Sequence, residues 1–150
     1  MRPSEIRERV VREHRDLRTR VERVEGLSRA TLAGTTGSME DLRSEARGLI
    51  RTLDAHMRWE DEELLPALAS ADEWGPERLR RMQSDHREQR ELLRYASGVL
   101  DDETRAPELI ARTTLDLVRL LQDDIEDEEE VMLDPDVLRD DVIGVDVETG

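Results

Sequence analysis

Residues 56–66, HMRWEDEELLP, set His56 and Glu60 four positions apart and close on a proline. Residues 124–133, DIEDEEEVML, repeat that layout with Asp124 where the histidine stood and Glu128 four positions on. A spacing of four returns to one face of a helix, so each pair can direct two donor atoms at a single point. The remaining histidines of the chain are His14 and His86, and there is no cysteine. Imidazole nitrogen and carboxylate oxygen without sulfur suit iron or manganese, with zinc as a further candidate.

Such donors can share an ion only if the elements carrying them turn them inward and bring them level. Four apolar stripes at helical spacing supply those elements. The first runs Ile6, Val10, Leu17, Val21, Val24, with Ser4 as the expected N-cap, and fades into LAGTTGS. The second, expected to open at Ser38 with Asp41 completing a weak capping box, runs Leu42, Ala46, Leu49, Leu53 and ends at Pro66. The third starts at Pro76 and runs Leu79, Met82, Leu93, Ala96, Leu100. The fourth follows DDETRAP, runs Ile110, Thr114, Leu117, Leu121 with Val131 also inward, and ends near Pro135. Four helices of roughly 25 residues with short connections predict an all-α, up-down-up-down four-helix bundle over residues 1–135. Residues 136–150 read as an acidic C-terminal tail.

The gaps in these stripes hold the six candidates. His14 lies between Val10 and Leu17, His56 and Glu60 follow Leu53, His86 lies between Met82 and Leu93, and Asp124 and Glu128 follow Leu121. His14 and His86 each stand ten residues after the expected start of their helix, His56 ten before Pro66 and Asp124 eleven before Pro135. With antiparallel neighbours, that places all of them roughly 15 Å from one end of the bundle. Three imidazoles and three carboxylates would then share a buried layer, which is costly unless something compensates their charge and hydrogen-bonding capacity. A metal site answers that requirement. A single histidine on an apolar face is more often a satisfied core residue, and it is the coincidence of six positions that favours metal. Asp61, Glu62, Glu63, Glu129 and Glu130 read as surface or as supports behind the ligands, and Met57, Met82 and Met132 as core filler.

Composition narrows the function classes. The chain has 150 residues, enough for one domain with a core, and carries 38 acidic against 23 basic residues for a formal charge of −15. Every basic residue is arginine. Such a balance opposes binding to a nucleic-acid backbone and favours attraction of cations. No apolar run approaches a membrane span and the N-terminus has no signal-peptide core, so a cytoplasmic protein with no membrane partner is expected. GTTGS lacks the lysine of a phosphate-binding loop.

The segments VVREHRDLRTRV, LDAHMRWEDEELLPAL, SDHREQRELL and DDIEDEEEVML resemble the four helices of the hemerythrin-like family, the HHE cation-binding domain, over roughly residues 5–135. The resemblance implies a non-haem di-iron centre with oxo or hydroxo bridges. It implies His14 and His56 on one iron, His86 on the other, and Glu60 and Glu128 as bridging carboxylates. The small partner implied is O2, nitric oxide or a peroxide, in sensing, scavenging or iron handling, and any turnover would be of oxidase or peroxidase type. Asp124 occupies the place of a usual histidine, which leaves one iron poor in nitrogen and favours its ferric state. Two other readings stand beside this one: a module holding one iron or zinc ion through His14, His56 and Glu60, and a metal-free bundle used for protein interaction.

Overall fold

The computed structural model describes residues 1–35 and 39–140. Five α-helices and two π-helical turns form four rods: α1 (Pro3–Leu32), then α2 (Met39–Trp59) running through a π turn (Glu60–Leu64) into α3 (Leu65–Ala69), then α4 (Gly75–Asp101), then α5 (Pro107–Asp127) running into a second π turn (Glu128–Met132). No strand occurs among the described residues, and the expected four-helix bundle is the fold. Neighbours α1–α2, α2–α4, α4–α5 and α5–α1 close a square, so α1 faces α4 and α2 faces α5 across the core. No described helix is long and apolar enough to cross a membrane.

Local chemistry sets the helix ends. Pro3 takes the first helical position of α1, where its missing N–H would have no partner in any case. The cap is therefore Arg2, not Ser4: the Glu5 carboxylate accepts from the Arg2 backbone N–H at 2.8 Å. Ser4 instead donates its N–H and hydroxyl to the Asp140 carboxylate, at 3.0 and 2.7 Å. The expected start of the second helix at Ser38 lies outside the described residues. Gly75 opens α4 where a Cβ would stand 2.3 Å from the Ala69 carbonyl oxygen, so only glycine permits the tight return from α3.

Apolar side chains fill the bundle on either side of one polar layer. The larger cluster, which includes Leu17, Val21, Leu49, Leu53, Leu93, Leu117 and Leu121, lies on one side. Ile6, Val10, Leu64, Leu68, Met82, Met132, Leu133 and Leu138 pack at the other end. Residues 136–140, expected as the start of a tail, belong to that end: Leu138 is buried and Arg7 donates to its carbonyl oxygen at 3.5 Å. The remainder of the expected tail, residues 141–150, lies outside the described residues.

The π turns explain the one inward position that fails. In each turn the backbone bond spans five residues, from the Leu65 N–H to the Glu60 carbonyl and from the Leu133 N–H to the Glu128 carbonyl. The extra residue rotates the downstream chain against the α-helical register. Val131, expected inward, is turned out and 36% exposed, while Met132 and Leu133 take the core positions.

Candidate metal centre

Four helical rods deliver their polar side chains to one level between the two apolar clusters. His14, His56, Glu60 and Glu128 each present a donor atom, and these atoms all lie within 4.8 Å of one another. His56 Nε2 stands 3.1 Å from Glu60 Oε1, and His86 Nε2 approaches the same oxygen at 3.4 Å. His14 Nε2 is 3.3 Å from Glu128 Oε1, and the His14 and His56 rings meet edge to face at 5.0 Å between centroids. All three histidines and Glu60 are buried. Asp124 lies outside the group of four; its carboxylate accepts a hydrogen bond from Gln89 Nε2 at 2.6 Å.

Each imidazole also meets a second carboxylate through its other nitrogen. His86 Nδ1 is 2.7 Å from Asp61, His14 Nδ1 is 3.4 Å from Glu129, and His56 Nδ1 is 3.7 Å from Glu13. An arginine holds each of these outer acids: Arg90 on Asp61 at 2.5 Å, Arg18 on Glu129 at 2.5 Å, and Arg9 on Glu13 at 3.3 Å. Arg9 also lies over the Trp59 ring, 4.2 Å from its centroid. Asp61 and Glu129 thus stand behind the histidines, one of the two places the sequence left open for them. Glu13 and Gln89 are not legible as site residues in the sequence because each looks like a surface residue within a charged stretch. A glutamine three positions after His86, on the same helix face, is the available signal for the second.

Burial and neighbouring charge pull the groups of this layer in opposite directions. Burial pushes the Glu128 carboxyl well above its ordinary range, and the Glu60 carboxylate beside it pushes the same way. Burial acts on Glu60 too, but the nearby Glu128 carboxyl and the His56 and His86 rings outweigh it and hold Glu60 low. The pair is thus driven apart, Glu128 toward its protonated form and Glu60 toward its ionised one. Burial opposes the charge on His56, yet Glu13 and Glu60 lift its pKa to about 9. His14 goes the other way, lowered by burial and by His56. For Asp124, burial outweighs the Gln89 hydrogen bond and raises the pKa to about 6.

The donor set fits a metal ion. Both nitrogens of His56, Nε2 of His86, Nδ1 of His14, Oε2 of Glu60 and Oε1 of Glu128 are buried without a hydrogen-bond partner. Each such atom costs roughly 1–3 kcal/mol in an apolar interior. A cation among the imidazoles and carboxylates would satisfy the inward atoms and offset the carboxylate charge at once.

Comparison with known proteins agrees with this chemistry. The family model described as hemerythrin HHE cation binding domain matches residues 5–134. No curated protein and no solved structure gives a match.

Proposed function

The chain belongs to the hemerythrin HHE cation-binding family, a helical metal-binding domain, and on that footing we propose that it is a non-haem di-iron protein. Its task would be to bind or react with O2, peroxide or nitric oxide, in sensing, scavenging or iron handling. One observation carries the reading: Glu60 Oε1 faces imidazole nitrogens from two helices, His56 of α2 at 3.1 Å and His86 of α4 at 3.4 Å. A carboxylate so placed suits a bridge between two ions. In this reading His14 and His56 hold one iron, His86 and Asp124 the other, and Glu60 and Glu128 span them.

Bound iron would supply one-electron redox chemistry toward small oxidants. The chain would supply the rest. Leucines and methionines on both sides of the layer exclude bulk water, and the outer carboxylates orient the rings. Burial favours the protonated form of Glu128, so metal binding there would be coupled to proton release.

A second reading has its own support. Only four of the six candidates gather within 4.8 Å, and Asp124 is engaged by Gln89, an arrangement that suits a single iron, zinc or manganese ion. Metal analysis after loading with ferrous iron separates the two, joined to stopped-flow mixing of the reduced protein with O2, peroxide and nitric oxide. Two irons per chain and an optical change with one of these oxidants are expected. One ion per chain would favour the second reading, and none would overturn both.

A further inference from the structure

The two π turns act on the histidines in the same way. Glu60 and Asp61, consecutive at the start of the first turn, address opposite nitrogens of His86: Glu60 faces Nε2 at 3.4 Å and Asp61 faces Nδ1 at 2.7 Å. Glu128 and Glu129, consecutive at the start of the second, address His14 likewise, at 3.3 Å on Nε2 and 3.4 Å on Nδ1. Behind each outer acid stands an arginine four residues after the histidine it serves, Arg90 after His86 and Arg18 after His14. The sequences HREQR and HRDLR therefore present both partners of the outer acid from one helix face.

We infer that Asp61 with Arg90 is a positioning pair that fixes the proton of His86 on Nδ1 and leaves Nε2 free to face the metal, and that Glu129 with Arg18 is a looser counterpart beside His14. A carboxylate only accepts hydrogen bonds, so a ring nitrogen hydrogen-bonded to it carries the hydrogen; Asp61 at 2.7 Å meets that condition at His86 Nδ1, and Glu60 at 3.4 Å leaves Nε2 without a partner. The arginine anchors the carboxylate: Arg90 takes the other oxygen of Asp61, Oδ2, at 2.5 Å, and Arg18 forks onto both oxygens of Glu129 at 3.0 and 2.5 Å. Neither acid can then rotate away. The Asp61 contact is a full hydrogen bond, whereas Glu129 at 3.4 Å from His14 falls short of one, so the first pair controls its histidine more tightly. Asp61 and Arg90 line a surface cleft with Leu65, Gln83 and Arg87, so the pair lies at the solvent boundary while the ring it holds is buried. The use of Nε2 rests on the proposed metal-binding function, with one ion or two; the placement of the proton does not.

Asp61→Asn tests the pair. Arg90 only donates, so it takes the amide oxygen and turns the amide N–H toward His86 Nδ1, which must then accept. The proton moves to Nε2, the nitrogen that faces Glu60. Nitrogen NMR of metal-free protein at alkaline pH reads the tautomer directly, and zinc titration reads the consequence. Wild type should carry His86 as the Nδ1–H form, and Asp61→Asn as the Nε2–H form with zinc affinity lower by about 10–100-fold. Glu129→Gln should lose less, and the exposed neighbour Glu62→Gln, which removes the same charge without touching a histidine, should match wild type in both readouts. If Asp61→Asn does not fold, Arg90→Leu leaves Asp61 present but unanchored, and a mixed tautomer with intermediate affinity is expected. An unchanged His86 tautomer in whichever variant folds would overturn the inference. Wild type that binds neither zinc nor iron would overturn the proposed function instead, and the tautomer would still decide the pair.

Discussion

The polar layer consists of two halves that share a plan and differ at one inward position. In one half α1 brings His14 and Arg18 against Glu128 and Glu129; in the other α4 brings His86 and Arg90 against Glu60 and Asp61. The position four residues before each π-turn glutamate breaks the match, with His56 before Glu60 and Asp124 before Glu128. The partners change with it. The residue three positions after His14 is Leu17, while three positions after His86 is Gln89, buried and donating to Asp124. An imidazole tolerates an apolar neighbour because it can be neutral, whereas a half-buried carboxylate needs a donor. The difference between the halves is thus a coordinated exchange of two residues, and it leaves one half rich in nitrogen and the other in oxygen.

The largest effect should come from the carboxylate that faces two histidines. Glu60→Ala removes the oxygen that faces His56 and His86, and iron binding should fall to a small fraction of wild type. Glu128→Ala should cost most of the iron as well. Retention of two irons per chain in either variant, read by metal analysis, would show that the halves do not share a bridge.

Removal of metal comes next. Saturation at about 100 times the dissociation constant stabilises a fold by about 2.7 kcal/mol. For a chain of this size, chelation should lower the thermal midpoint by roughly 5–10 °C. Added ferrous iron should restore it. Calorimetry with and without chelator checks the shift, and an unmoved midpoint after verified removal would separate the layer from metal altogether.

Making the halves alike is a finer test. Asp124→His alone strands Gln89 without its acceptor, at a cost of roughly 1–3 kcal/mol in stability. Adding Gln89→Leu, which copies His56 with Leu17, should recover much of that loss. Replacing a carboxylate by a neutral imidazole removes negative charge, so the double variant should raise the reduction potential of the proposed iron centre. Chemical denaturation measures the recovery and redox titration the shift. Equal potentials in wild type and the double variant would show that Asp124 does not reach the metal.

Titration of chelated protein should resolve the halves by pH. His56 lies above its ordinary 6.5 at about 9, so its contribution to stability is full below 6.5 and lost as pH rises through 9. Asp124 lies above its ordinary 3.8 at about 6, so its contribution is full below 3.8 and lost as pH rises through 6. Both windows slope the same way, toward lower stability at higher pH. His56→Asn should flatten the upper window and Asp124→Asn the lower one, as read by denaturation at stepped pH. The smallest expected effect belongs to Glu63→Ala, exposed and outside both halves, which should leave iron content and stability near wild type.

Periodicity alone is enough for the bundle and for the convergence of polar residues. A helix repeats every 3.6 residues, so the apolar stripes of this chain imply four rods, and near-equal distances from the helix ends put His14, His56, His86 and Asp124 at one level, with Glu60 and Glu128 one turn nearer the end. The arginine partners and the grip on each histidine are not legible in that way. Asp61 and Glu129 belong to acidic runs whose members look alike in sequence, and only the π turns, with an extra residue in each, decide which of them turn toward a ring. The same wide turn reverses Val131 and Met132. Whether Asp124 joins the centre or Gln89 depends on a contact between residues 35 positions apart on different helices. The repeat of one helix sets which face is buried. Which polar atoms meet across that face is set by packing between helices, and only the folded chain contains it.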